Sequence, residues 1–139
     1  MRRIHFFEIV DQVWWPRTIR DAQTDFLAFL LRVGNQYAAA TRWLTLTLEQ
    51  CESDEIIDLC SGGGGPWPSL VKALRAERQR DVSVCLTDKY PNVAALSAEV
   101  DRAGGALKFC ATSVDATGVP ADFGGVRTLF TALYHFTPA

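Results

Sequence analysis

Apolar residues recur at helical spacing in the first part of the chain. The spacing over 18–33 predicts a helix that Gly34 and Asn35 end, and the spacing over 37–50 predicts a second helix. A polar break at 52–54 follows. The chain therefore opens with a helical prelude of two helices.

The second part of the chain alternates short apolar runs with amphipathic stretches. The predicted strands are 55–60, 82–87, 107–112 and 126–133. Helices are predicted between the first three strands, where prolines suit a first helical turn. This alternation favours a parallel sheet with right-handed crossovers. The sequence thus predicts an α/β fold with a helical prelude at 1–53 and a core at 54–139. We treat them as one domain because the prelude alone could not bury both helices.

Composition and charge narrow the class of protein. The chain has 139 residues, 48% of them hydrophobic and 22% charged, which is typical of a globular domain. A net charge of −2 gives no basic field, so neither nucleic acid nor an anionic membrane surface is an expected partner. No apolar stretch is long enough to span a membrane. The basic start of the chain is soon interrupted, unlike a signal peptide.

The cysteines and histidines give no pattern typical of a metal site or a disulfide framework. Four cysteines without a close C-x-x-C pair and only two histidines are present. Buried free thiols in a reducing compartment are the expected state. We therefore expect a cytoplasmic protein without a bound metal.

The glycine run at 62–65 is the main candidate for a ligand site. Glycine permits tight turns and close approach of a ligand, and ligands of parallel α/β sheets bind at the carboxyl ends of the strands. A dinucleotide fingerprint needs a third glycine where this chain has Trp67 or Pro68. No Gly-Lys-Ser/Thr sequence supports a phosphate loop. A flexible connector without a ligand is the alternative.

Four segments resemble class I S-adenosylmethionine-dependent methyltransferases in the order of that family. Ile-Ile-Asp-Leu-Cys-Ser-Gly-Gly-Gly at 56–64 resembles its motif I, and Leu-Thr-Asp at 86–88 resembles the acidic end of its second strand. The stretch 113–116 resembles the loop after the third strand, and 126–136 resembles the fourth strand and its exit. The resemblance covers residues 54 to 136.

This resemblance implies a Rossmann-like α/β/α arrangement in which the helical prelude forms a lid. The family has a seven-stranded sheet, and this chain carries the part with strand order 3-2-1-4. We therefore expect a truncated chain, or one that a second chain completes. The fourth strand would expose an unpaired apolar edge and favour self-association. Such a chain is expected to be a poor catalyst by itself.

The resemblance also implies a set of cofactor-binding residues. Asp88 would accept the ribose hydroxyls, Asp115 would accept the adenine amino group, and Asp58 would act near the amino-acid tail. The full expected set is Asp58, Cys60, Gly62, Gly63, Gly64, Asp88, Lys89, Asp115 and Ala116.

Local structural roles stay open for these carboxylates. Asp88 can instead be a helix N-cap or a turn residue, and Asp115 can form a plain Asx turn. Asp58 lies inside an apolar strand, where a buried carboxylate needs partners.

We expect methyl transfer from S-adenosylmethionine to a small-molecule acceptor. His135, just after the fourth strand, is the candidate general base, with a packing role as the alternative. A non-catalytic or truncated cofactor-binding fragment is a second interpretation. A nicotinamide-dependent oxidoreductase is a third, against which Trp67 argues.

Overall fold

The chain forms helices that alternate with the strands of one sheet. A computed structural model describes residues 14, 16–23, 26, 37, 39–130, 132 and 136. Residues 17–23 are helical. The elements that follow are α1 (Ala40–Gln50), β1 (Glu55–Leu59), α2 (Trp67–Arg78), β2 (Ser83–Leu86), α3 (Val93–Arg102), β3 (Leu107–Phe109) and β4 (Val126–Leu129).

The four strands pair in parallel in the order β3-β2-β1-β4. Ile56 of β1 aligns with Val84 of β2 and with Val126 of β4. The predicted α/β, Rossmann-like arrangement is therefore confirmed. Because the strands are parallel, their carboxyl ends lie at one edge of the sheet.

One face of the sheet packs against the helices. Leu44 and Leu48 of α1 join the side chains of α2 and α3 in this core, so the second half of the prelude is packed with the strands. The buried apolar residues of this core are Leu44, Leu48, Ile56, Trp67, Leu70, Val71, Leu74, Val82, Val84, Leu86, Leu96, Ala106 and Leu107.

The other face of the sheet packs against the connection between β3 and β4. Ile57, Leu59 and Cys85 are buried there. Partly buried side chains of the connection cover them, among them Val119 and Phe123. Among the described residues, an irregular segment at 110–125 thus covers this face, whereas helices cover the opposite face.

All four strands are shorter than the sequence pattern predicts, β1 and β2 by one and two residues and β3 and β4 by three and four. β3 ends at Phe109 instead of residue 112, and β4 ends at Leu129 instead of residue 133. Phe109 aligns with Leu86 and Leu129 aligns with Leu59, the last residues of β2 and β1. Because β1 and β2 end at those residues, β4 and β3 have no partner strand to pair with beyond them, although the apolar pattern of the sequence continues. Most of the predicted helix over 18–33 lies outside the described residues.

The expectation of buried thiols is correct for one cysteine. All four cysteines are free, but Cys51 is exposed and Cys60 and Cys110 are only partly buried. Cys85 is buried because it lies within β2. The other three follow the ends of regular elements, where the chain returns to the surface. In the described part of the chain, no helix combines the length and the apolar character needed to cross a membrane.

Gly125 allows the connection to approach β1 closely. Its φ is 103°, and a Cβ at this position would lie 2.6 Å from the backbone oxygen of Glu55. We expect Gly125→Ala to lower the free energy of unfolding by about 2–4 kcal/mol, because it combines a left-handed backbone with a backbone clash.

The matched control is Gly124→Ala, since a Cβ at Gly124 meets no atom within 4 Å. Its effect should stay below about 0.5 kcal/mol. Urea titrations followed by circular dichroism measure both variants. Equal destabilisation of the two would contradict the close approach at Gly125.

Candidate functional site

Three loops meet at the carboxyl edge of the sheet. The Gly62 N–H donates to Asp88 Oδ2 at 2.8 Å, which joins the glycine loop to the end of β2. Lys89 Nζ donates to Asp115 Oδ2 at 2.9 Å, and the Val114 N–H donates to the backbone oxygen of Asp88 at 2.9 Å. The structure therefore brings most of the predicted site residues together in one row.

The glycine loop turns through left-handed backbone conformations. Cys60, Gly62 and Gly64 have φ values of 57°, 54° and 95°. A Cβ on Gly64 would lie 2.5 Å from Cγ of Glu99, a residue of α3. Glycine at position 64 thus lets the loop rest directly on that helix.

Helix α2 begins immediately after this loop, with few backbone donors at its start. Pro66 is the N-cap residue and Pro68 lies in the first turn, and neither carries an N–H. No side chain caps the helix by a hydrogen bond. Helix N-termini bind phosphates through such N–H groups, so this one is poorly equipped for a phosphate.

The carboxylate of Asp58 is buried at the end of β1 and is hydrogen-bonded on both oxygens. The side chain is 2% exposed. Ser61 Oγ donates to Oδ2 at 2.7 Å, and Thr128 Oγ1 donates to Oδ1 at 2.8 Å. The Trp67 indole N–H also lowers the pKa of Asp58, although it forms no hydrogen bond.

Burial controls the acidity of this carboxylate. Desolvation raises the pKa of Asp58 from 3.8 to about 6, against the donors on Ser61, Thr128 and Trp67, which lower it. The nearby charge of Asp88 contributes to this increase in the pKa. The group therefore changes charge close to neutral pH.

The backbone around Asp58 is tied to β2 by a buried threonine. Thr87 donates its hydroxyl and its N–H to the Asp58 backbone oxygen, at 2.8 Å and 2.9 Å. The sequence predicts no site role for Thr87 or Thr128, since a threonine in an apolar run is an ordinary strand residue. Only the strand register shows that Thr128 lies opposite Asp58.

Asp88 is a turn residue whose carboxylate keeps acceptor capacity. Oδ1 accepts the Tyr90 N–H at 2.8 Å, while Oδ2 accepts the Gly62 N–H. The alternative of a helix N-cap is wrong, because Asn92 is the N-cap of α3 and accepts from the Ala95 N–H. A carboxylate offers about four acceptor directions, so two hydrogen bonds leave room for further donors.

Asp115 forms the Asx turn that the sequence left open. Its Oδ1 accepts both the N–H and the hydroxyl of Thr117, at 2.9 Å and 2.7 Å. The Thr117 hydroxyl and then the Lys89 ammonium hold the pKa of Asp115 well below its usual range. Ala116 packs against the buried residues of the loop-covered sheet face. Both residues thus have local structural roles beside any role toward a ligand.

The helical segment at 17–23 touches this row of loops. The guanidinium of Arg20 lies 4.3 Å from the centroid of the Tyr90 ring, within cation–π range. Since the Tyr90 N–H holds Asp88, this segment lies beside the end of β2.

Acidic side chains dominate the surroundings of the glycine loop. Asp58 and Asp88 lie at the strand ends, and Glu99, 2% exposed, lies beneath Gly64. Arg102 forms an ion pair with Glu99, and Lys89 forms one with Asp115. The loop is therefore better suited to a ligand rich in hydrogen-bond donors or positive charge than to an anion.

A cavity of about 320 Å³ lies away from these loops. Glu55, Cys85, Lys108 and Phe123 are among its lining residues, which places it on the loop-covered face of the sheet, with Glu55 at the amino end of β1. Within the described residues, no group of three His, Cys, Asp or Glu side chains could hold a metal ion. His135 lies outside the described residues.

Comparison with known proteins found no matching family model, no matching curated protein and no matching solved structure. The assignment of a ligand therefore depends on the chemistry of the residues themselves.

The buried charge of Asp58 predicts a distinctive pH dependence of stability. The folded state holds the Asp58 proton more tightly than the unfolded chain, because the pKa rises from 3.8 to about 6 on folding. Stability from this group is thus present below about pH 4 and is lost by about pH 6, a cost of about 3 kcal/mol at neutral pH.

We expect Asp58→Asn to remove this loss, so that the variant gains stability relative to the parent as the pH rises from about 4 to about 7. Urea unfolding at a series of pH values measures the difference. Asp101→Asn, at an exposed position, is the control. If Asp58→Asn and the parent show the same pH dependence, folding does not raise the pKa of Asp58.

Proposed function

We propose that this chain binds S-adenosylmethionine and is the cofactor-binding part of a class I methyltransferase that acts on a small molecule. The observation that carries the proposal is the acidic glycine loop. Asp58, Asp88 and Glu99 surround a loop whose backbone admits close approach. S-adenosylmethionine has a sulfonium, an ammonium group and a ribose diol, and it has no phosphate.

The start of α2 supports this ligand over a dinucleotide. A diphosphate needs N–H donors at the helix N-terminus and tolerates few nearby anions. Here Pro66 and Pro68 remove two donors, and Glu99 lies beneath the loop. These features disfavour a nicotinamide-dependent oxidoreductase independently of the missing third glycine.

The donor and acceptor chemistry of the site fits the parts of this ligand. Asp88 retains acceptor directions for two ribose hydroxyls. Asp58 supplies negative charge beneath the loop for the cationic part. Asp115 Oδ2 accepts from Lys89 and has spare acceptor capacity for the amino group of the adenine. When bound, the cofactor supplies an electrophilic methyl group for transfer.

The residues around the glycine loop bind and orient the cofactor. The general base that takes a proton from the methyl acceptor comes from another part of the chain. His135 stays our candidate for that role. The alternative is a module that binds the cofactor without catalysis. Binding of S-adenosylmethionine together with methyl transfer supports the methyltransferase. Binding without turnover on any small-molecule acceptor supports the non-catalytic module.

Calorimetry with three ligands tests the proposed class. S-adenosylmethionine and its demethylated product should both bind, and NAD should not. Binding of NAD alone would replace the proposal with the oxidoreductase interpretation.

Asp88 is the residue at which the binding mode is most directly tested. We expect Asp88→Ala to weaken S-adenosylmethionine binding by about 1.5–3 kcal/mol, the range for hydrogen bonds to a charged group. Isothermal titration calorimetry gives the value.

Asp101→Ala is the matched control, because it removes the same charge from an exposed position on α3. Its affinity should equal that of the parent. An Asp88→Ala variant that folds and binds as tightly as the parent would limit Asp88 to its contacts with Gly62 and Tyr90.

A further inference from the structure

We propose that Thr128 is a positioning residue of the ligand site: its hydroxyl, together with that of Ser61, fixes the Asp58 carboxylate beneath the glycine loop and keeps it ionised for a cationic ligand group. The identity of the ligand rests on the proposed function. The effect of Thr128 on Asp58 does not.

The strand register brings the two side chains together. Asp58 and Thr128 are aligned partners in the parallel pair of β1 and β4. Aligned residues of neighbouring strands project their side chains to the same face of the sheet. The resulting hydrogen bond of 2.8 Å joins residues 70 positions apart in the sequence.

The carboxylate is surrounded by donors from three different elements. Thr128 donates from β4, Ser61 donates from the glycine loop, and the indole N–H of Trp67 lies nearby at the start of α2. Trp67 is fully buried, so its indole is held in place by packing. Donors to the charged form oppose the effect of burial, which alone would favour the neutral acid.

Within the described residues, no positively charged side chain balances the charge of the Asp58 carboxylate. The hydroxyl and indole donors are neutral, and within the described residues no Lys or Arg side chain forms an ion pair with Asp58. The charged group that acts on Asp58 is Asp88, whose negative charge raises the pKa further. A buried anion without a cation is costly, and a ligand cation above the loop would offset that cost.

Carboxyl-carbon NMR of Asp58 in the ligand-free protein tests the role of Thr128. Thr128→Val should raise the pKa of Asp58 by about one unit, the effect of one hydrogen bond to a charged group. Thr128→Ser retains the hydroxyl and should restore the parent value. Ser61→Ala removes the other hydroxyl donor and gives the same readout should Thr128→Val fail to fold. An unchanged pKa in a folded variant that lacks one hydroxyl would overturn the proposal.

Binding as a function of pH tests the link to the ligand. If only the ionised carboxylate supports binding, Thr128→Val and the parent should bind S-adenosylmethionine alike near about pH 8 and differ about tenfold near about pH 5. A raised pKa with a pH-independent ratio of affinities would refute the link between the Asp58 charge and the ligand. If the parent binds no S-adenosylmethionine at any pH, the proposed function fails, while the NMR titration still decides the role of Thr128.

Discussion

The burial of one carboxylate is the constraint around which the sheet edge is arranged. Asp58 lies near the carboxyl end of β1, an inner strand of the sheet, where desolvation raises its pKa, and its oxygens accept from Ser61 and Thr128. The Asp58 backbone oxygen in turn accepts from Thr87. A substitution that preserved only the packing at Asp58 would remove the carboxylate that accepts from the hydroxyls of Ser61 and Thr128. The ends of β1, β2 and β4 are therefore held in one polar network beneath the glycine loop.

Two neighbours constrain the glycine loop above this network: the side chain of Glu99 and the start of α2. Gly64 lies against Glu99 so closely that a side chain there would collide with it. The helix that follows begins with residues that cannot donate, Pro66 and Pro68. A glycine run between a strand and a helix is commonly associated with phosphate, yet both its neighbours here disfavour an anion. The type of ligand is thus set less by the glycines than by the residues that surround them.

The order of elements could be predicted from the sequence, because the alternation of apolar runs and amphipathic stretches is a local property. The ends of β3 and β4 could not, because a strand stops where its neighbour stops, at Leu86 and Leu59. The same limit applies to the site. Asp58 and Asp88 are visible as acids at strand ends, whereas Thr128 becomes a partner of Asp58 only through a cross-strand register.

Asp115 shows a different limit of prediction from sequence. Its loop composition suited both a turn and a ligand contact, and the structure shows the turn with Thr117 and the ion pair with Lys89. One carboxylate can serve two neighbours, so a local role does not exclude a second one. Spacing alone could not rank the two roles.

The unequal covering of the sheet has a consequence for how the protein opens. On one face, fully buried side chains such as Leu74 and Leu96 lock α2 and α3 onto the strands. On the other, the partly buried Val119 and Phe123 lie over Cys85. Lifting that segment exposes less apolar surface, so it requires less free energy than global unfolding. Amide exchange and thiol labelling at Cys85 would therefore report sub-global opening, while the helical face would exchange only when the whole molecule unfolds.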